Sequence, residues 1–140
     1  MKKLFYSESA INSGLLFLRL GIGIAFILHG YPKLFQGGAD HLAGWLTKVG
    51  MPAPTVGAYL AAIAEFFGGI FLIIGLLFRP TSFVLAVTMG VAIFVHLKTP
   101  TQDTFMAYSH ALESCIVFVA LLISGPGRYS LDALIFRKKD

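Results

Sequence analysis

Acidic residues are scarce in this chain: Asp and Glu together number seven in 140. Charged residues of both signs make up 13%, apolar residues 56%, and the mean hydropathy is +0.78. That balance excludes an ordinary soluble domain and indicates a membrane protein of a single domain, 1–140. Cysteine occurs once, at Cys115 inside an apolar run. An intramolecular disulfide and a C-x-x-C dithiol are therefore excluded, and redox chemistry would have to use other groups. Cys115 itself reads as inert packing. The chain also lacks internal repeats and low-complexity stretches. Its basic residues gather near the two ends without interleaved aromatics, which excludes a nucleic-acid binder as the partner class.

What the chain has in quantity is long apolar runs. Four of them approach the ~20 residues that a hydrocarbon core of about 30 Å requires. They predict spanning helices over 14–35, 56–78, 81–97 and 106–124. The fold class is therefore all-α, an integral membrane four-helix bundle. Arg79-Pro80 leaves almost no loop between the second and third spans and predicts a tight antiparallel hairpin, with Pro80 in the first turn of the new helix. Arg19 interrupts the first run and no small-residue cleavage signature follows it, so this segment is expected to be retained rather than removed as a signal peptide.

An even number of spans places both termini on one side. Lys2, Lys3, Arg79, Arg128, Arg137, Lys138 and Lys139 fall on that side, against Lys33, Lys48 and Lys98 on the other. The positive-inside rule makes the termini cytoplasmic and the protein a multi-pass component of the bacterial inner membrane. In the long connection 36–55, Leu42, Trp45, Leu46 and Val49 recur at helical spacing between Gly37-Gly38 and Gly50-Met51-Pro52. They predict a short amphipathic helix in the interface, either a lid over the bundle or an anchored surface helix. After the fourth span, Ser130 is placed to cap a terminal segment carrying Leu131, Leu134 and Ile135. The basic end Arg137-Lys138-Lys139 is expected to rest on anionic headgroups.

The titratable groups inside these runs are the candidates for function, because a charge in the hydrocarbon region is costly and needs a partner, a ligand or a proton. Helical rise places Glu65 near the midplane, with His29, His96, His110 and Glu113 in the middle-to-outer half. Arg19 lies toward the cytoplasm, and its simplest role is counter-charge to Glu65 or Glu113, with direct ligand contact as the alternative. Arg19, Gly23, Phe26, Gly30 and Lys33 form one stripe of the first helix. Ala58, Ala61, Ala62, Glu65, Gly68 and Gly69 share a face of the second, where small residues permit close helix approach. Glu65 reads equally well as a proton carrier or as half of a static ion pair. Lys33 is expected to extend outward to the interface. His29 and His96 each have a bland reading, as a hydrogen-bonded structural His and an interfacial His. His41 is expected to be solvated. His110 and Glu113, at i and i+3, can supply two metal ligands. A set of His29, His96, His110 and Glu113, or a haem between facing histidines, is the metal-based alternative to a metal-free site.

Three stretches resemble the DoxX family of small membrane proteins: R19-L-G-I-G-I-A-F-I-L-H29-G30-Y-P-K33-L34-F, E65-F-F-G68-G69-I-F-L-I-I-G75, and H110-A-L-E113 with the closing G125-P-G-R-Y-S130-L-D132. The resemblance covers about residues 14–135. It implies a four-helix inner-membrane bundle associated with redox functions: thiosulfate oxidation with quinone as acceptor, oxidative and thiol stress, and resistance to quinones or catechols. It marks Arg19, His29, Gly30, Lys33, Glu65, Gly68, Gly69, Glu113 and Asp132 as motif positions but implies no fixed catalytic set.

Residues and resemblance together lead to a membrane component of a quinone-linked redox, oxidative-stress or detoxification system, possessing a polar pocket in the outer half of the bundle. Glu65, Glu113 and His110 are the candidate catalytic groups. Arg19, His29, Lys33, His96, Phe26 and Phe66 are the candidate ligand contacts, and Phe67, Phe94 and Phe105 are further wall candidates. Quinone is the expected cofactor, ahead of haem or a metal ion. The partners expected are the lipid bilayer, a small hydrophobic or quinone-like ligand, other redox proteins and a second copy in a homo-oligomer. A proton-coupled small-molecule carrier titrating at Glu65 and a non-catalytic scaffold for redox enzymes are the competing readings.

Overall fold

The computed structural model describes residues 7–99 and 104–136, and every regular element among them is helical. The elements are α1 (Glu8–Phe35), α2 (Gly38–Lys48), α3 (Pro54–Ile74), α4 (Phe78–Lys98), α5 (Thr104–Ser124) and α6 (Leu131–Phe136). Helices α1, α3, α4 and α5 are each long and apolar enough to cross a membrane. The predicted interfacial helix is α2. The basic tail Arg137-Lys138-Lys139 lies outside the described residues.

Three boundaries differ by three residues or more from the sequence expectation. Helix α1 begins at Glu8, not near 14, since polar residues continue the helix beyond the apolar run; Asn12 Nδ2 donates to the Glu8 carbonyl at 2.6 Å. At ~1.5 Å per residue its 28 residues reach about 42 Å, longer than the hydrocarbon core. The second span ends at Ile74, not 78, because Gly75 adopts the left-handed conformation (φ 68°) that closes a helix. Helix α4 then starts at Phe78, so Arg79 and Pro80 occupy its first turn, where the missing proline N–H is not needed.

Helix α1 packs chiefly on α3, α4 on α5, and α2 lies across α3. The α1–α3 seam is built from the predicted stripes. Arg19, Gly23, Phe26 and Gly30 are the buried residues of α1, and Ala58, Ala62, Glu65, Gly68, Gly69 and Leu72 those of α3, where Gly69 meets Gly23 and Gly68 meets Leu85 of α4. A Cβ on Gly69 would stand 2.6 Å from the Gly23 carbonyl oxygen, and one on Gly30 would strike the Phe66 backbone. Glycine is required there by backbone contact. Phe26, Leu72, Phe78, Leu85, Phe118 and Leu121 close the interior. Large apolar side chains such as Phe17 and Ile123 point outward at 80% and 73% exposure, as the lipid-facing surface of a bundle does.

The end of the bundle near α6 is tied together by two charged residues. Arg19, 1% exposed, donates from Nε to the Leu72 carbonyl (3.0 Å) and from Nη2 to Ile73 (2.9 Å). These are among the carbonyls that the last turn of α3 leaves without intrahelical partners. Its Nη1 donates to the carbonyls of Pro126 (2.7 Å) and Tyr129 (2.9 Å). Asp132 accepts from the amides of Leu77 (2.9 Å) and Phe78 (2.8 Å), capping α4 from a distant segment. Ser130 Oγ accepts from the Ala133 amide at 3.1 Å, the cap expected for α6. The closing G-P-G-R-Y-S-L-D segment is therefore a structural clasp.

Candidate functional site

Glu65 is central to α3, on the face turned toward α1. Its side chain is 4% exposed, and Lys33 Nζ reaches both carboxylate oxygens at 2.7 Å. This corrects two expectations. The counter-charge of Glu65 is Lys33, not Arg19, and Lys33 turns inward rather than extending outward. The glycine contacts explain both: they set Gly30 against Phe66, which brings Lys33 level with Glu65, and Gly23 against Gly69, which carries Arg19 toward the end of α3. A carboxylate held out of water requires a nearby cation, and Lys33 is the one the register supplies.

The pair borders a cleft of about 640 Å³. Its floor is the small-residue face of α3 at Gly57, Ala61 and Ala64, its far wall is α4 at Val84, Thr88 and Ala92, and Leu42, Trp45 and Leu46 of α2 cover one end. His96 joins the lining from the end of α4, its ring 5.2 Å from that of Trp45. His96 Nδ1 lies 2.7 Å from the Ala92 carbonyl. A carbonyl only accepts, so Nδ1 donates in this contact, and Nε2 makes no hydrogen bond among the described residues. Lysine has three donors, and Glu65 engages two in this arrangement. The cleft is thus apolar along most of its length, with the Lys33–Glu65 pair and His96 as the charged or titratable side chains of its lining.

The five titratable groups expected to converge are divided. Glu65 and His96 share the cleft. His29 and His110 form a separate pair between α1 and α5, ring centroids 4.8 Å apart, both flanking Phe26 at 6.3 Å. Glu113 is exposed on α5, outside the cleft. His110 and Glu113 lie off the inward face of that helix, which the buried Ala111 and Ser114 take. Among the described residues no group of three or more His, Cys, Asp or Glu side chains is placed to hold a metal ion, so the set of His29, His96, His110 and Glu113 is not assembled. The His29–His110 ring contact also leaves no room for a haem between them. Phe26 is core, packed on Phe118 at 4.7 Å, and Phe66 packs against Phe35 and Phe67; neither lines the cleft. Phe67, Phe94 and Phe105 are likewise outside its lining. Cys115 is half-buried, its Sγ 3.5 Å from the Ala86 carbonyl.

Sequence reasoning missed Trp45 as a wall of the site and Lys33 as the partner of Glu65. The signal for Lys33 was present, as the last member of the stripe through Gly23 and Gly30. For Trp45 nothing in the sequence set its helix over the α3–α4 cleft rather than elsewhere on the surface.

A polytopic helical bundle with a buried lysine–carboxylate pair beneath an interfacial helix defines the class of protein. The chain belongs to the DoxX family, whose profile matches residues 14–97. It is 27% identical over 124 residues to the inner membrane protein YphA of Escherichia coli K12, covering 84% of this chain and 87% of that one. An uncharacterized protein of Haemophilus influenzae is 32% identical over 128 residues, 89% and 92% of the two chains. A Bacillus subtilis protein named "Putative oxidoreductase CatD" is 31% identical over 133 residues, 94% of each. No solved structure matches the chain significantly. The protein is accordingly a multi-pass inner-membrane protein of the DoxX family.

Proposed function

We propose that the protein is the membrane component of a quinone-linked redox or oxidative-stress system, with the α2-covered cleft as the site of a quinone-like ring. The observation that carries this reading is the Lys33–Glu65 pair bordering an otherwise largely apolar cleft. A lipophilic ring with oxygen substituents has the same division. Its apolar part would lie along Ala61, Ala64, Val84 and Ala92, and a ring oxygen would meet the remaining donor of Lys33. Leu60, Val87 and Val91 line the cleft while remaining exposed, which supports access from the lipid between α3 and α4.

Reduction of a quinone to its hydroquinone takes two electrons and two protons. In this reading Glu65 handles protons at the ring oxygen, and the electrons come from a separate redox protein. The name of the Bacillus subtilis relative agrees with such a role.

Trp45 is the sole tryptophan of the chain and lines the cleft, so its fluorescence reports the site directly. Titrating the purified protein in nanodiscs with a short-chain ubiquinone analogue should quench Trp45 saturably. Lys33→Met and Glu65→Gln should each weaken the apparent affinity by on the order of tenfold, the loss of one charged hydrogen bond. Linear, non-saturating quenching that is identical in all three proteins would refute the assignment.

A further inference from the structure

We propose that a second cleft, at the opposite end of the bundle, lined by both Arg79 and Arg128 beside the α3–α4 turn and the clasp, binds the phosphodiester headgroup of an anionic phospholipid. The cleft has a volume of about 770 Å³ and is lined by Leu77, Arg79, Pro126, Arg128, Leu134 and Phe136, among others. It lies at the end that the excess of Lys and Arg assigns to the cytoplasm, level with a leaflet's headgroups.

Charge and shape both suit a lipid. Among the described residues neither guanidinium has an ion pair or a side-chain hydrogen bond; the Arg128 contact to Asn12 is made by its backbone amide. The Arg79 guanidinium lies against Gly125, where a Cβ would stand 3.5 Å from Nη2. Two carboxylates also border the cleft, Glu8 and Asp132. Asp132 is committed to the amides of Leu77 and Phe78. The charge of Asp132 is offset by Arg19, which interacts with it, so Arg79 and Arg128 face one further carboxylate, Glu8, a balance that a single phosphodiester charge completes. Guanidinium is the side chain best matched to phosphate oxygens. Leu134 and Phe136, 73% and 71% exposed, offer apolar surface beside the charges, as acyl chains require. Basic pockets on the cytoplasmic side of spanning helices bind anionic headgroups in this way.

The test is native mass spectrometry of the full chain released from nanodiscs of equal phosphatidylglycerol and phosphatidylcholine. Wild type should retain one phosphatidylglycerol in preference to phosphatidylcholine by about tenfold or more, the effect of two near-surface arginines at ~1 kcal/mol each. Arg79→Gln/Arg128→Gln should lose that preference, and Arg79→Lys/Arg128→Lys should keep part of it. Lys98→Gln, which removes a cation at the other end, should leave it intact. Helical circular dichroism and Trp45 quenching by the quinone analogue should be unchanged in all variants, which keeps this result separate from that of the quinone site. Equal retention of the two lipids by wild type, or a preference that survives the double glutamine variant, would overturn the proposal. So would thermal stabilisation of the detergent-solubilised protein by inorganic phosphate that matches that by phosphatidylglycerol, since the ligand would then be a free anion.

Discussion

Buried charges in this protein are held by two different solutions, and single substitutions should separate them. Lys33 and Glu65 satisfy each other, with the carboxylate far less exposed than the ammonium (4% against 31%). Removing the lysine strands a buried carboxylate; removing the carboxylate leaves a lysine that can extend to the interface. Lys33→Met should therefore cost more stability than Glu65→Gln, up to roughly 3–5 kcal/mol, and the double variant should recover much of the loss. Thermal unfolding in detergent, followed by circular dichroism, gives the order directly. Arg19 is instead satisfied by four carbonyl oxygens on two segments. Lysine has a single nitrogen and cannot span those acceptors, so Arg19→Lys should destabilise by several kcal/mol at ~1.5–3 kcal/mol per charged hydrogen bond. The sequence made both residues visible as buried charges. It did not reveal their partners, because partner choice depends on the α1–α3 register, which is fixed by backbone contacts at Gly23, Gly30 and Gly69 rather than by charge.

At the level of helices, apolar periodicity and small residues carried most of the information. The buried stripe of α1 and the small-residue face of α3 are both readable from spacing, as is the amphipathic α2. Helix ends were less legible. The turn at Gly75 comes before the apolar run is exhausted, and Leu77 takes a positive φ of 46° while its amide is held by Asp132, 55 positions away in the chain. No local pattern announces a cap supplied from that distance. The α1–α3 seam yields a prediction of its own. Gly69→Ala should force the helices apart, since the new Cβ would meet backbone oxygen rather than a side chain able to turn aside. Gly90→Ala on α4, where a Cβ meets nothing within 4 Å, should be neutral or slightly stabilising, because alanine favours helix by about 1 kcal/mol over glycine. A clear difference in melting temperature between the two variants is the expected readout; equal melting would mean that the seam tolerates separation.

Over the whole molecule, polar chemistry is divided between two ends joined by apolar packing. The clasp of Arg19, Ser130 and Asp132 fixes one end, and the Lys33–Glu65 pair and His96 line the cleft that α2 partly covers. Depth along the membrane was legible in the sequence, which is why Glu65 and His96 were both expected in one half of the bundle. Direction around each helix was legible only where small or apolar neighbours marked a face. On α5, His110 and Glu113 lie to one side of the buried face, so a depth argument alone gathered them into a pocket they do not line. The cleft that does exist is built by α3, α4 and α2, and a ligand there would bridge helices that belong to different closely packed pairs. Binding should then raise the stability of the entire bundle, by about 2.7 kcal/mol at a ligand concentration 100 times Kd. A short-chain quinone analogue should shift the melting temperature of wild type upward. The shift should be strongly reduced in Glu65→Gln, whereas Glu113→Gln and His110→Ala, outside the cleft, should retain it in full. A shift lost equally in His110→Ala would move the binding site to the α1–α5 side and away from the Lys33–Glu65 pair.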